Sequence, residues 1–148
     1  MKNTMVNNMG SEVEVGFTCK PKVFDPNKPI MHFKTQIFIC DGERCKQSSK
    51  HEDEATFLRE LLKELNLHQG QNRIKISRTN CFGACRFRQV ATVFENTKAN
   101  GFIQNNNIWL KNTHKFDKNR WIELFTALKN NKNLDELDFE QIPMNEIS

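Results

Sequence analysis

His32-Phe33-Lys34-Thr35-Gln36-Ile37-Phe38-Ile39-Cys40 holds the β-favouring apolar residues Phe33, Ile37, Phe38 and Ile39 and stops at a cysteine, followed by the loop signal Asp41-Gly42. Such a composition predicts a buried strand ending at Cys40. Ser49-Lys50-His51-Glu52 then fits a capping box, in which the serine oxygen takes an early helix N–H and the glutamate reaches back to the serine amide. Glu52, Asp53 and Glu54 suit the positive end of a helix dipole. Leu58, Leu61, Leu62 and Leu65 form an apolar stripe at i, i+3, i+4 and i+7, with Glu60, Lys63 and Glu64 on the wet side, and Gly70 closes the helix or lies just beyond it. Ile74 and Ile76 alternate with Arg73, Lys75 and Ser77, a second strand that runs into Asn80-Cys81-Phe82-Gly83-Ala84-Cys85. Parallel strands joined by a right-handed helical crossover have their carboxyl ends on one side of the sheet. That topology brings Cys40 and Cys45 toward Cys81 and Cys85.

Working outward, Val90, Val93 and Phe94 mark a third strand within 89–95, and Ile108-Trp109-Leu110 a fourth, joined by a long Asn-rich hairpin connection around Gly101. Asp117 is the cap of a last helix with the stripe Trp121, Leu124, Phe125 and Leu128. The expected class is therefore α/β, with one domain over 31–131, an N-terminal extension over 1–30 and an acidic tail over 132–148. In the extension, Val13, Val15 and Phe17 alternate before Pro21, Pro26 and Pro29, as in an edge strand laid on the domain. In the tail, Leu134, Leu137, Phe139 and Ile142 are scattered among acids, which leaves a short amphipathic turn and a mobile segment both open.

The 148 residues suffice for one domain with a real core. Residues 31–131 hold 17 Lys and Arg against 10 Asp and Glu, whereas 132–148 hold one Lys against five acids. A basic body of this kind steers acidic partner proteins or touches nucleic acid, and sign alone does not choose. No run approaches the roughly 18 to 20 continuous apolar residues that span a bilayer. The first 20 residues lack the apolar core and small-residue site of a secretory leader, so a cytoplasmic location is expected. There, thiols stay reduced and grouped cysteines point to metal or catalysis rather than to structural disulfides. Cys19, alone before Pro21, is expected to be a free thiol.

Cys40-x4-Cys45 and Cys81-x3-Cys85 offer four thiolates, whose charge only a strongly positive centre offsets. Two centres remain open on the residues alone. Four-cysteine zinc sites typically use C-x2-C knuckles that wrap a single ion; both pairs here are wider. A 2Fe-2S cluster is a larger object whose irons each take two thiolates. Arg44, Lys46, Arg86 and Arg88 stand beside the cysteines to balance negative charge. Gly83 permits a positive φ that turns an N–H toward sulfur. His32, His51, His68 and His114 repeat no ligand spacing.

The order strand, Cys40-x4-Cys45, helix, strand, Cys81-x3-Cys85, two strands and a terminal helix resembles the thioredoxin-like 2Fe-2S ferredoxins, a family that includes a related subunit of respiratory complex I. The resemblance covers roughly residues 33–130. It implies a thioredoxin-like fold with a mixed four-stranded central sheet, a 2Fe-2S cluster as cofactor, one iron held by Cys40 and Cys45 and the other by Cys81 and Cys85. It also implies redox protein partners and a homodimer, the state common among stand-alone members. RFRQV stands where many members have Gly-Pro before a valine-rich strand, the 95–107 segment is longer than the usual hairpin, and residues 1–30 have no counterpart.

The leading expectation is a one-electron carrier with no enzymatic activity of its own. A structural zinc module for interaction or nucleic-acid binding is the alternative, although no nucleic-acid motif is present and aromatics do not interleave with the basic residues. A thiol–disulfide enzyme lacks its C-x-x-C dithiol. No phosphate loop, dinucleotide fingerprint or nucleophile–base–acid constellation is visible.

Overall fold

A computed structural model describes residues 3–6, 12–16, 23, 26–27, 31–42, 53–80, 83 and 87–144. The chain divides into two units, 1–32 and 33–148. In the first, β1 (Thr4–Val6) and β2 (Glu12–Glu14) pair antiparallel as a two-stranded sheet of their own. The edge strand expected around Val13 thus finds its partner within the extension; Phe17 lies outside the described residues.

The second unit is built on β3 (Thr35–Cys40), α1 (Glu54–Glu64), β4 (Ile74–Thr79), β5 (Ala91–Glu95), β6 (Ile108–Leu110) and α2 (Lys118–Lys129). Its sheet runs β4-β3-β5-β6, parallel between β3 and β4 and antiparallel elsewhere. This is an α/β architecture with a mixed four-stranded sheet. Alternate strand residues point to opposite faces. Ile37, Ile39, Ile74, Ile76, Ala91, Val93, Ile108 and Leu110 share one core with Leu58, Leu61 and Leu62 of α1 and Trp121, Leu124, Phe125 and Leu128 of α2. Both helices therefore cover the same face. A fully buried leucine of this kind contributes about 2 kcal/mol.

The helix ends follow local chemistry. Asp117 caps α2, its carboxylate accepting from the Arg120 amide. The capping box at Ser49–Glu52 lies outside the described residues, and α1 itself is capped by Asp53, whose side chain accepts from the Thr56 amide. Asn66, at φ 55°, follows the C-cap Leu65, so Gly70 lies beyond the helix. Some of the asparagines serve turns in the same way: Asn66, Asn100, Asn107, Asn112 and Asn131 occupy the left-handed region, which asparagine tolerates better than most side chains.

Residues 132–144 are packed. Leu134 and Phe139 enter the main core, and the Arg120 guanidinium lies 3.8 Å from the centre of the Phe139 ring. The Lys111 amide donates to the Glu140 carbonyl (3.1 Å) and the Ile142 amide to the Trp109 carbonyl (2.9 Å), around an antiparallel bridge between Leu110 and Gln141. The segment thereby occupies the outer edge of β6, where unpaired backbone groups would otherwise face solvent. Asp135, Glu136, Asp138 and Glu140 remain exposed. Of the two states left open for the tail, residues 132–144 take the ordered one.

Candidate metal centre

The β3–β4 ladder holds Thr35 beside Ile74 and ends with Cys40 beside Thr79. The Asp41 amide extends it, donating to the Thr79 carbonyl at 2.7 Å. Cys40 therefore lies one strand spacing, about 4.8 Å, from a residue only two positions before Cys81. Two residues of extended chain reach at most about 7 Å. In-register parallel pairing at this end is the geometric condition that the two cysteine pairs require in order to meet.

Cys40 is a free, buried thiol. Its amide donates to the Val90 carbonyl at 3.1 Å, and its Sγ lies 4.0 Å from the Asn80 carbonyl oxygen. Val90 and Ile142 bury it, with Phe87 and Trp109 packed against the group. This small cluster is separate from the main core. The thiol thus sits on an apolar wall and beside a carbonyl at the start of the segment that leads to Cys81.

Cys45, Cys81 and Cys85 lie outside the described residues, as do Cys19, Arg44, Lys46 and Arg86. With Cys40 alone of the four described, no group of three or more His, Cys, Asp or Glu side chains is arranged around a metal position among the described residues. Gly83 has φ 78°, and a Cβ added there would meet nothing within 4 Å. Its left-handed backbone, rather than crowding, is what favours glycine. Arg88 is exposed.

The segments that flank the unseen thiols are anchored by groups that sequence reasoning passed over. After Cys85, the Phe87 carbonyl accepts from the Asn112 amide (3.1 Å), and the Gln89 carbonyl accepts from both the amide and the hydroxyl of Thr113 (3.0 and 3.1 Å). The Gln89 amide donates to Nδ1 of His114 at 2.9 Å, so that nitrogen carries no proton. The histidine is a structural acceptor here. Before α1, Asp53 accepts from Arg78 and from the Thr56 hydroxyl (2.8 Å). The Arg78 guanidinium, followed by that hydroxyl, holds the Asp53 carboxyl down to about 2. Apart from the Asp53–Thr56 cap, these pairings leave no local spacing in the chain, because each joins residues about 25 positions apart that the fold brings together. No protein-family model matches the chain, and no curated protein matches it.

Proposed function

We propose that this chain is a one-electron carrier that holds a 2Fe-2S cluster through Cys40, Cys45, Cys81 and Cys85 on a thioredoxin-like framework. The observation that carries this is the Cys40–Thr79 register. It supports the reading because it sets Cys40 beside Thr79, two positions before Cys81 in the chain. The donor set suits the group: four thiolates are the ligands such clusters take, and each pair is wider than a zinc knuckle. The left-handed Gly83 backbone between Cys81 and Cys85 agrees with a loop folded around a bulky centre.

When bound, such a cluster takes up and gives back one electron without any substrate. The chain's own residues then have simple tasks. Val90, Ile142, Phe87 and Trp109 keep water from the Cys40 flank, and burial of that kind is one determinant of potential. Lys111, with its Nζ 5.5 Å from the centre of the Phe87 ring, and exposed Arg88 bring positive charge to the same end. A redox partner with an acidic docking face suits them. The proposal includes no enzymatic step, a cytoplasmic setting and, from the resemblance, a homodimer. Among the described residues no helix is long and apolar enough to cross a membrane.

Stoichiometric reduction under anaerobic conditions is the test. The expected result is a visible spectrum that bleaches in part, with one paramagnetic centre appearing per electron accepted. A colourless, zinc-containing protein that is diamagnetic throughout would overturn the proposal in favour of the structural zinc module.

A further inference from the structure

The described residues that bound the Cys45-bearing segment, Asp41 and Asp53, are tied to consecutive residues of one strand. The Asp41 amide donates to the Thr79 carbonyl at 2.7 Å. Asp53 Oδ2 accepts from the guanidinium of Arg78 at 2.5 Å. Arg78 and Thr79 end β4, and Asn80 and Cys81 follow directly. From these placements we propose that Asp53 and Arg78 are positioning residues, a clamp that fixes the Cys45-bearing segment against the strand leading to Cys81 and so slows release of the metal centre. The proposal rests on the metal-binding reading above.

The clamp has more than a single contact. Thr56 donates its hydroxyl to Asp53 Oδ2 at 2.8 Å and lies 3.3 Å from Arg78. Asp53 Oδ1 takes the Thr56 amide at 3.3 Å, so one oxygen caps α1 while the other holds β4. Asp41 adds a favourable charge toward Arg78. Arg59 of α1 donates to the Ile76 carbonyl at 2.9 Å, a second tie between the same helix and strand. Side-chain exposures of 38% for Arg78 and 42% for Asp53 keep the ion pair open to screening by salt. Because the cap and the clamp use different oxygens, replacing Arg78 tests one and spares the other.

The experiment compares the full-length chain with Arg78→Gln and Arg78→Lys, each prepared anaerobically and then mixed with excess chelator. Arg78→Gln is expected to lose its visible absorbance on the order of two- to five-fold faster, the range an exposed ion pair supports. Arg78→Lys should recover part of the difference. Metal content before challenge, and the melting of the metal-free chain, should match the parent. Equal release rates overturn the clamp, as does a faster rate that merely follows a lowered melting temperature. If the parent carries zinc in place of iron and sulfide, the electron-carrier proposal falls, yet zinc release from the same variants still decides the clamp. In a chain that isolates without metal, the alkylation rate of Cys45 replaces the chelator: acceleration in Arg78→Gln supports the clamp, and equality overturns it.

Discussion

The two ends of the four-stranded sheet differ in what they do with polar groups. At the amino end of β3, side chains satisfy one another. Buried Lys34 donates to the Leu128 carbonyl at the carboxyl end of α2 and to Asn131 Oδ1 at 2.7 Å, a position where the helix dipole favours a cation. Thr35 donates to the Glu95 carboxylate at 2.8 Å, and fully buried Asn105 joins the Lys132 carbonyl to the Leu134 amide. At the carboxyl end of β3, the residues packed around Cys40 are apolar, and the polar ties are backbone ladders, the bonds of Thr113 and His114 to the Gln89 backbone, and the clamp at Asp53 and Arg78. At one end, polar side chains tie the strands to α2 and to the segment that follows it. The other presents a thiol and the starts of two cysteine-bearing segments. On the proposed reading, the contrast separates stability from metal binding, so that each should be breakable without the other.

The largest effect belongs to the thiol end. Cys85→Ala is expected to abolish the visible spectrum, because one iron loses a thiolate, while Cys19→Ala should leave it intact. Bleaching by the Cys19 substitution would show that the ligand set is misassigned. Next is Lys34→Met, expected to cost about 3 kcal/mol in urea denaturation, since it strips a buried cation from its acceptors and leaves Glu95 without its compensating charge. Metal bound per folded chain should not change. A cost near zero would mean that the far network does not hold the fold.

The smallest effect is a pH dependence. Burial raises the Glu95 carboxyl above its usual 4.5, opposed by the Thr35 hydroxyl, the Lys34 charge and the Phe102 amide. A carboxyl that titrates higher in the folded chain binds more protons there than in the unfolded one. Its contribution to stability is therefore present at low pH and lost as pH rises from about 4.5 through the raised value. Glu95→Gln should remove that loss, so its advantage over the parent grows with pH across this window. A difference independent of pH would contradict the assignment.

Much of the frame was legible because its signals are local. A run of β-favouring apolar residues marked β3, alternation marked β4, and Asp117 with the stripe from Trp121 to Leu128 marked α2, all four of those stripe residues being fully buried. The C-terminal segment was not legible, because a strand-like cover for one edge needs no periodicity; Leu134 and Phe139 enter the main core, whereas Ile142 packs beside Cys40. Lys34 was also hidden. A lysine is read as solvated by default, and only the fold brings the acceptors of α2 to it. For the candidate site, the cysteine spacing was plain in the chain, whereas the Arg78–Asp53 pair joins residues 25 positions apart and leaves no motif.

Iron and acid-labile sulfide analysis of anaerobically purified protein addresses the central claim most directly. The account predicts about two of each per chain, as a four-thiolate 2Fe-2S site requires. Stoichiometric zinc, or iron without sulfide, would contradict it.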